Sequence, residues 1–400
     1  MESPIVRTSS VFFFLLFFAL CSAINPEAGM RTDQLIKYHG YPVEVHEAVT
    51  ADGYVLQMHR IPHGREESGS TKRPVVLFVH GLQTSSACWV DNHAHDSAGF
   101  MFADAGFDVW LANNRGNIFG RNHTLLSATD KPFWNFTWYE MATRDLDAFV
   151  GKIAEVSGQQ SVYVVAHSQG STQVFARLAH DPAFASRIRR LFALAPIARV
   201  QKIQGLFRLL AATQVLMEVD YKLGGDREYL QADLLTAYSS QVACTNPISD
   251  ELCSSLVFMT AGPDVGLLNT TRLDVYTTNA PAGTSLKNML HWTQLVNSGR
   301  FQTFDYGDPT QNFVHYGQTT PVAFDLRKIR VPVHLFLSDF DWLSTREDVE
   351  EFLLPNLRKT LAEVVRLPRF SHLDYIWGLT SGREIYAPII ESIKQLDGFE

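Results

Sequence analysis

Only 4 of the 400 residues are cysteine, 19% are charged, and the formal net charge is −8. No basic stripe occurs, and no alternation of basic with aromatic residues, so nucleic acid is set aside as a partner. The apolar run Val11–Leu20 has ten residues, half of the roughly 20 that a membrane-spanning helix needs. No other stretch is apolar enough to span a bilayer. Internal repeats and low-complexity linkers are absent, which excludes solenoids and tethered modules. His93-x-His95-Asp96 is the one metal-like grouping singled out, and no third ligand pattern accompanies it, so no metal site is assigned.

What is present is core material. Hydrophobic residues make up 46% of the chain and aromatics 12%, enough for a large buried interior. Arg7, the Val11–Leu20 run and Cys21-Ser22-Ala23 form a charged region, an apolar region and a small-residue cleavage site. They predict a secretory signal over residues 1–23. In that compartment Cys244 and Cys253 stand close enough to close a short loop with one bridge. Cys88 is then the odd thiol, expected to be buried and inert. Asn122, Asn135 and Asn269 head N-x-S/T sequons, and Asn246 is excluded by Pro247. Protonating all fourteen histidines would turn the charge from −8 to +6, compatible with an acidic setting.

Strand-like and helix-like segments alternate along most of the chain. Tyr41–Ile61 reads as a hairpin about Asp52-Gly53, and Val75–Val79, Phe107–Ala112, Val162–Val165 and Leu191–Ala195 as buried strands. The rhythm breaks over 199–325. An amphipathic helix is expected there at Ile203–Leu210 and Gln214–Val219, followed by irregular, aromatic-rich sequence. It resumes with Val331–Leu337 and Val364–Leu367. The pattern predicts an α/β fold with a mostly parallel sheet, split into 24–198 and 326–400 by an insertion.

Three of these strands end in chemistry. Val162–Val165 runs through Ala166-His167 into Ser168-Gln169-Gly170 and then a helix, the layout of a nucleophile elbow. A serine hydroxyl needs a base and the base an orienting acid. Asp341 follows the Val331–Leu337 strand and His372 follows Val364–Leu367, so the order Ser168, Asp341, His372 is that of α/β-hydrolases. Asp339 is the rival acid and ranks second. His291, His315 and His334 are read as structural or surface residues. Oxyanion donors are expected at the backbone N–H groups of Gln169 and of Leu82, in the His80-Gly81-Leu82 loop.

With those residues in view, the chain resembles the acid lipase family of gastric, lingual and lysosomal enzymes. The matching stretches include Gly40-Tyr41-Pro42, Asp52-Gly53-Tyr54, His80-Gly81-Leu82, Arg115-Gly116-Asn117, His167-Ser168-Gln169-Gly170, Arg272–Tyr276, His291-Trp292-Thr293-Gln294 and His372–Trp377. The resemblance implies an α/β-hydrolase core with a cap bearing a lid. It also implies hydrolysis of neutral-lipid esters at a lipid–water interface, without cofactor. Ser168 is then nucleophile, His372 base, Asp341 acid, Leu82 and Gln169 oxyanion donors, and Cys244–Cys253 the cap disulfide. Ala166 stands where the family has glycine, Ser338–Leu343 where it has Gly-Gly-x-Asp-Leu-Leu, and Ala261 where it has a further cap thiol. Trp342 is expected to reshape the wall beside His372. An esterase for another acyl substrate, or a lipid-binding protein on a silent hydrolase scaffold, are the rival readings. Silent scaffolds usually lose the nucleophile or the base, and here both are present.

Overall fold

The computed structural model describes residues 25–66, 73–231, 258–263 and 265–398. The signal segment and the Cys244/Cys253 pair lie outside the described residues. The expected hairpin forms as β1 (Glu44–Val49) and β2 (Tyr54–Ile61), antiparallel, with Val49 opposite Val55. Then come β3 (Val75–Val79), β4 (Asp108–Leu111), the two-residue β5 (Asn122–His123), β6 (Val162–His167) and β7 (Ile188–Leu194). After the insertion β10 (Val333–Leu337) and β11 (Leu361–Arg366) complete the sheet, while β8 (Glu228–Gln231) and β9 (Ala282–Ser285) make a separate antiparallel ribbon.

Strand order is β1-β2-β4-β3-β6-β7-β10-β11, with β5 paired to β2 and everything from β4 to β11 parallel. The central strands are β-branched because both their faces are covered, and side chains alternate between two cores. Val75, Leu77, Val79, Val162, Val164 and Ala166 face one core, with the Leu146–Ser157 and Gln169–His180 helices. Val76, Phe78, Tyr163 and Val165 face the other, with Phe100, Phe102, Ile385 and Ile389. From β3 the chain steps to β4 on one side and later to β6 on the other. The loops leaving β3 and β6 therefore diverge and open a crevice at the strands' carboxyl ends.

The insertion differs from its sequence reading in two ways. The amphipathic stretch breaks at Thr213 into two helices, Gly205–Ala212 and Gln214–Gly224. Among the described residues, the part expected to be irregular contains further helices, Leu273–Asn279, Leu286–Ser298 and Pro309–Tyr316 among them. Leu286–Ser298 escaped notice because most of it is buried, Lys287, Asn288, His291 and Thr293 included. A helix surrounded on all sides carries no apolar stripe.

Candidate active site

Ser168 sits between β6 and its helix with φ 53° and ψ −122°. A non-glycine residue in that region is strained, and the neighbours hold it there. Ser168 N–H donates to Leu194 O at 3.0 Å, and Ser168 O accepts from Ser171 Oγ at 2.6 Å. Gly170 is obligatory: a Cβ there would stand 2.4 Å from Val79 O. Gly81 is less constrained, with an added Cβ 3.0 Å from His167 Nδ1 and 3.1 Å from the Ser168 Cβ. Ala166 is fully buried, opposite Val79 and Ala193, so its methyl is accommodated within the sheet.

The three residues picked from three strand ends come together. His372 Nε2 lies 2.7 Å from Ser168 Oγ, and His372 Nδ1 lies 2.9 and 3.0 Å from the two oxygens of Asp341. With the Nδ1–H donated to the carboxylate, Nε2 is the acceptor of the hydroxyl proton. Asp341 Oδ1 also accepts the N–H groups of Leu343 and Ser344, each at 2.8 Å, which fixes the carboxylate's plane. Asp339 points elsewhere. Its half-exposed carboxylate pairs with Arg346 at 3.4 Å and Arg366 at 3.9 Å.

Neighbouring histidines are structural. His167 Nε2 donates to His372 O at 2.9 Å, and burial, with His372 beside it, drives its pKa well down. His80 bonds Gly81 O through Nδ1 and accepts from Asn114 N–H at 3.1 Å through Nε2. Burial lowers its pKa to about 4, so it shapes the loop as a neutral ring. His291 is fully buried on Gln302 O, and His334 lies between Arg190 and Glu363. His315 stacks on Tyr306. Motif residues matched along the chain serve the frame likewise. Arg115 is buried between Asp52 and Asp145, Asn117 donates to His80, and Arg272 forks onto Glu27.

Gln169 opens the helix after Ser168, where its N–H has no carbonyl one turn back along the helix to bond. Leu82 is half-buried against the core, in the loop whose next residue, Gln83, has φ 59°. Sequence reasoning missed what holds these two positions. The Gln169 side chain is bonded by Asn288 and Trp292, and Gln83 by the β8–β9 ribbon. The quoted stretch His291-Trp292-Thr293-Gln294 was the only trace of this in the sequence.

Trp342 fastens the inserted segment to the loop that carries Asp341. Its N–H reaches Ala261 O, its O accepts from Gln204 N–H at 2.8 Å, and its ring lies against Gly205 and Gly262. Ser168 is 6% exposed. The surface cleft between Gln214, Tyr221, Leu290 and Phe304 does not reach it. Of the three sequons, Asn122 and Asn135 are exposed. Asn269 is buried, and its Nδ2 donates to Asn92 Oδ1 at 3.0 Å. Cys88 is buried as expected, and burial raises its pKa well above the usual value, keeping it a thiol. Among the described residues no cluster of three His, Cys, Asp or Glu side chains could hold a metal, and no helix is long and apolar enough to cross a membrane.

The sheet and the elbow define an α/β hydrolase, and the profile of the family described as "alpha/beta hydrolase fold" matches residues 74–379. A second profile, "Partial alpha/beta-hydrolase lipase region", matches residues 32–93. The chain is 40% identical to bovine gastric triacylglycerol lipase (Bos taurus) over 93% of each chain. It is 40% identical to human lysosomal acid lipase/cholesteryl ester hydrolase (Homo sapiens) over 94% of this chain and 93% of that one. Against lipase lipl-1 of Caenorhabditis elegans the identity is 39%, over 92% and 93%. The chain therefore belongs to the acid lipase family and is a carboxylic ester hydrolase. Likeness in fold extends further, to an epoxide hydrolase of Vigna radiata at TM-score 0.51 and 16% identity, covering 89% of this chain and 98% of that one.

Proposed function

We propose that this chain is a secretory-pathway lipase, extracellular or lysosomal, that hydrolyses fatty-acyl esters of neutral lipids, triacylglycerol and/or cholesteryl ester. Ser168 is the nucleophile, His372 the base and Asp341 the acid. His372 Nε2 takes the hydroxyl proton as Ser168 Oγ attacks the ester carbonyl, and Asp341 stabilises the imidazolium that results. The N–H groups of Leu82 and Gln169 receive the negative charge that develops on the carbonyl oxygen. His372 then protonates the departing alcohol, and water, activated by the same imidazole, releases the fatty acid from the acyl-enzyme. These steps call for neither metal nor cofactor.

The observation that carries this reading is the unbroken hydrogen-bond chain from Ser168 Oγ through His372 to Asp341, at 2.7 and 2.9 Å. The choice of neutral lipid is supported by the names of the relatives, and by cap helices that leave Leu209, Val215, Leu216 and Leu223 in solvent. In this reading residues 199–325 are the cap and 24–198 with 326–400 the core. Cys244 and Cys253 form the cap disulfide, and glycans sit on Asn122 and Asn135. The test is a fluorophosphonate probe applied with an ester assay at several pH values. Ser168→Ala abolishes labelling and lowers kcat by about 10⁴-fold or more. Labelling that persists in the alanine variant would remove Ser168 from its role.

A further inference from the structure

We infer that Trp292 and Asn288 are positioning residues for the oxyanion hole, and that one continuous stretch of the cap, Ala282–Trp292, holds both of its donors. The inference rests on the reading of Leu82 and Gln169 as those donors. The Gln169 side chain is buried and could have been anchored by its own helix. Instead its Oε1 accepts Trp292 Nε1–H at 2.7 Å and Asn288 Nδ2–H at 2.9 Å, while its Nε2 turns to Met141 Sδ at 3.6 Å. Trp292 and Asn288 are four residues apart, one above the other on the same helix face. Asn288 is fixed in turn: Trp138 N–H donates to its Oδ1 at 2.7 Å, and its Nδ2 also reaches Thr284 Oγ1 at 3.1 Å.

The second donor loop is gripped a few residues earlier in the same stretch. Ala282 N–H donates to Gln83 O at 2.8 Å, and Gly283 N–H donates to Gln83 Oε1 at 2.9 Å. Gln83 Nε2–H closes the grip on Tyr229 O of β8 at 3.1 Å. Donors at a developing oxyanion act only if held to within about 0.5 Å of the productive place. Two loops leaving different strands have no common reference in the sheet itself. The strand and helix spanning 282–292 supply one.

The bland alternative is that these bonds only satisfy buried polar groups. The two differ in what a conservative change does. Trp292→Phe keeps a ring and deletes one donor. It is expected to lower kcat on a water-soluble short-chain ester about tenfold, a fraction of the 10²–10³ that follows loss of a whole donor. KM stays within about twofold, phosphonate labelling slows in step with kcat, and the melting temperature falls by no more than about 3 °C. Gln169→Met gives a similar loss, and the double variant is no worse than the poorer single one, because both act through one amide. Gln83→Ala loses kcat in the same manner from the other side. Wild-type kcat in Trp292→Phe, or losses that multiply in the double variant, overturns the inference. Should Trp292→Phe fail to fold, Asn288→Ser is read by the same criteria. Activity retained in Ser168→Ala would be a failure of the underlying reading. An inactive Ser168→Ala beside a fully active Trp292→Phe would be a failure of this inference alone.

Discussion

The sheet and the insertion bury their apolar residues very differently. In β3, β6 and β10 every residue is buried, and two cores lie against the two faces. In the Gln214–Gly224 helix no residue is, and Val215, Leu216 and Leu223 are 70, 70 and 83% exposed. Exposed patches of this kind cost solubility, and chains that keep them use them. Side chains that must hold a proton path to within tenths of an ångström belong on the packed part. Surface that must meet a bulky apolar substrate belongs on the unpacked part. A helix such as Leu286–Ser298 is inserted in sequence but packed like the sheet, and Asn288 and Trp292, which bond the Gln169 side chain, sit on it.

The sharpest way to test this contrast is on the packed side. Asp341→Asn should lower kcat by about 10⁴-fold, since an amide can hold His372 in the wrong tautomer. Asp339→Asn, on the surface two residues away, should leave it within about twofold. Gly170→Ala pushes a methyl against the Val79 carbonyl and should cost about 2–3 kcal/mol of stability, read from denaturant midpoints. On the unpacked side, Leu216→Ser with Leu223→Ser should change stability by less than about 0.5 kcal/mol. The pair should lower turnover of emulsified triacylglycerol about tenfold, while a soluble ester loses no more than about twofold. Equal losses on both substrates would dissolve the distinction.

The smallest effect concerns pH. Asp91 is fully buried, and burial above all pushes its carboxyl up to about 8, although Arg272 and Trp377 pull the other way. A carboxyl raised in the folded state contributes stability that is complete below about pH 4 and is lost as pH rises through 8. Asp91→Asn should therefore raise the melting temperature by a few degrees at pH 8 and leave it unchanged near pH 4. His59 and His80 act in the opposite sense. Burial holds both at about 4, so their contribution is present above about pH 6.5 and is lost as pH falls through 4. Glu27 is a third case. Burial would raise it, but bonds to Arg272 and His39 hold it at about 2, so its ion pair survives mild acid. Scanning calorimetry at pH 4, 6 and 8 on Asp91→Asn and the parent separates these.

The sheet was legible because strands covered on both faces must be continuous runs of Val, Leu and Phe, and such runs are hard to mistake. The positions of Ser168 and Asp341 followed from where those runs stop, and that of His372 from the end of the edge strand β11, whose residues are half-buried or exposed. The ribbon β8–β9 was not legible: Ala282-Gly283-Thr284-Ser285 has no apolar alternation and a single β-branched side chain, Thr284, to announce a strand. Nor were the partners of Gln169, because a hydrogen bond between residues more than a hundred positions apart leaves no local pattern. A three-residue sequon likewise says nothing about burial, and Asn269 is enclosed.

Ala261 contributes one carbonyl with an outsized reach. It accepts His372 N–H at 3.0 Å and Trp342 N–H at 3.4 Å, thereby joining the loop that carries His372 to the loop that carries Asp341. The inserted region is thus a keystone between those two loops. Excising 199–325 and rejoining the ends would unpin the imidazole from its carboxylate. A chain pared down in that way should fail even on a small dissolved ester.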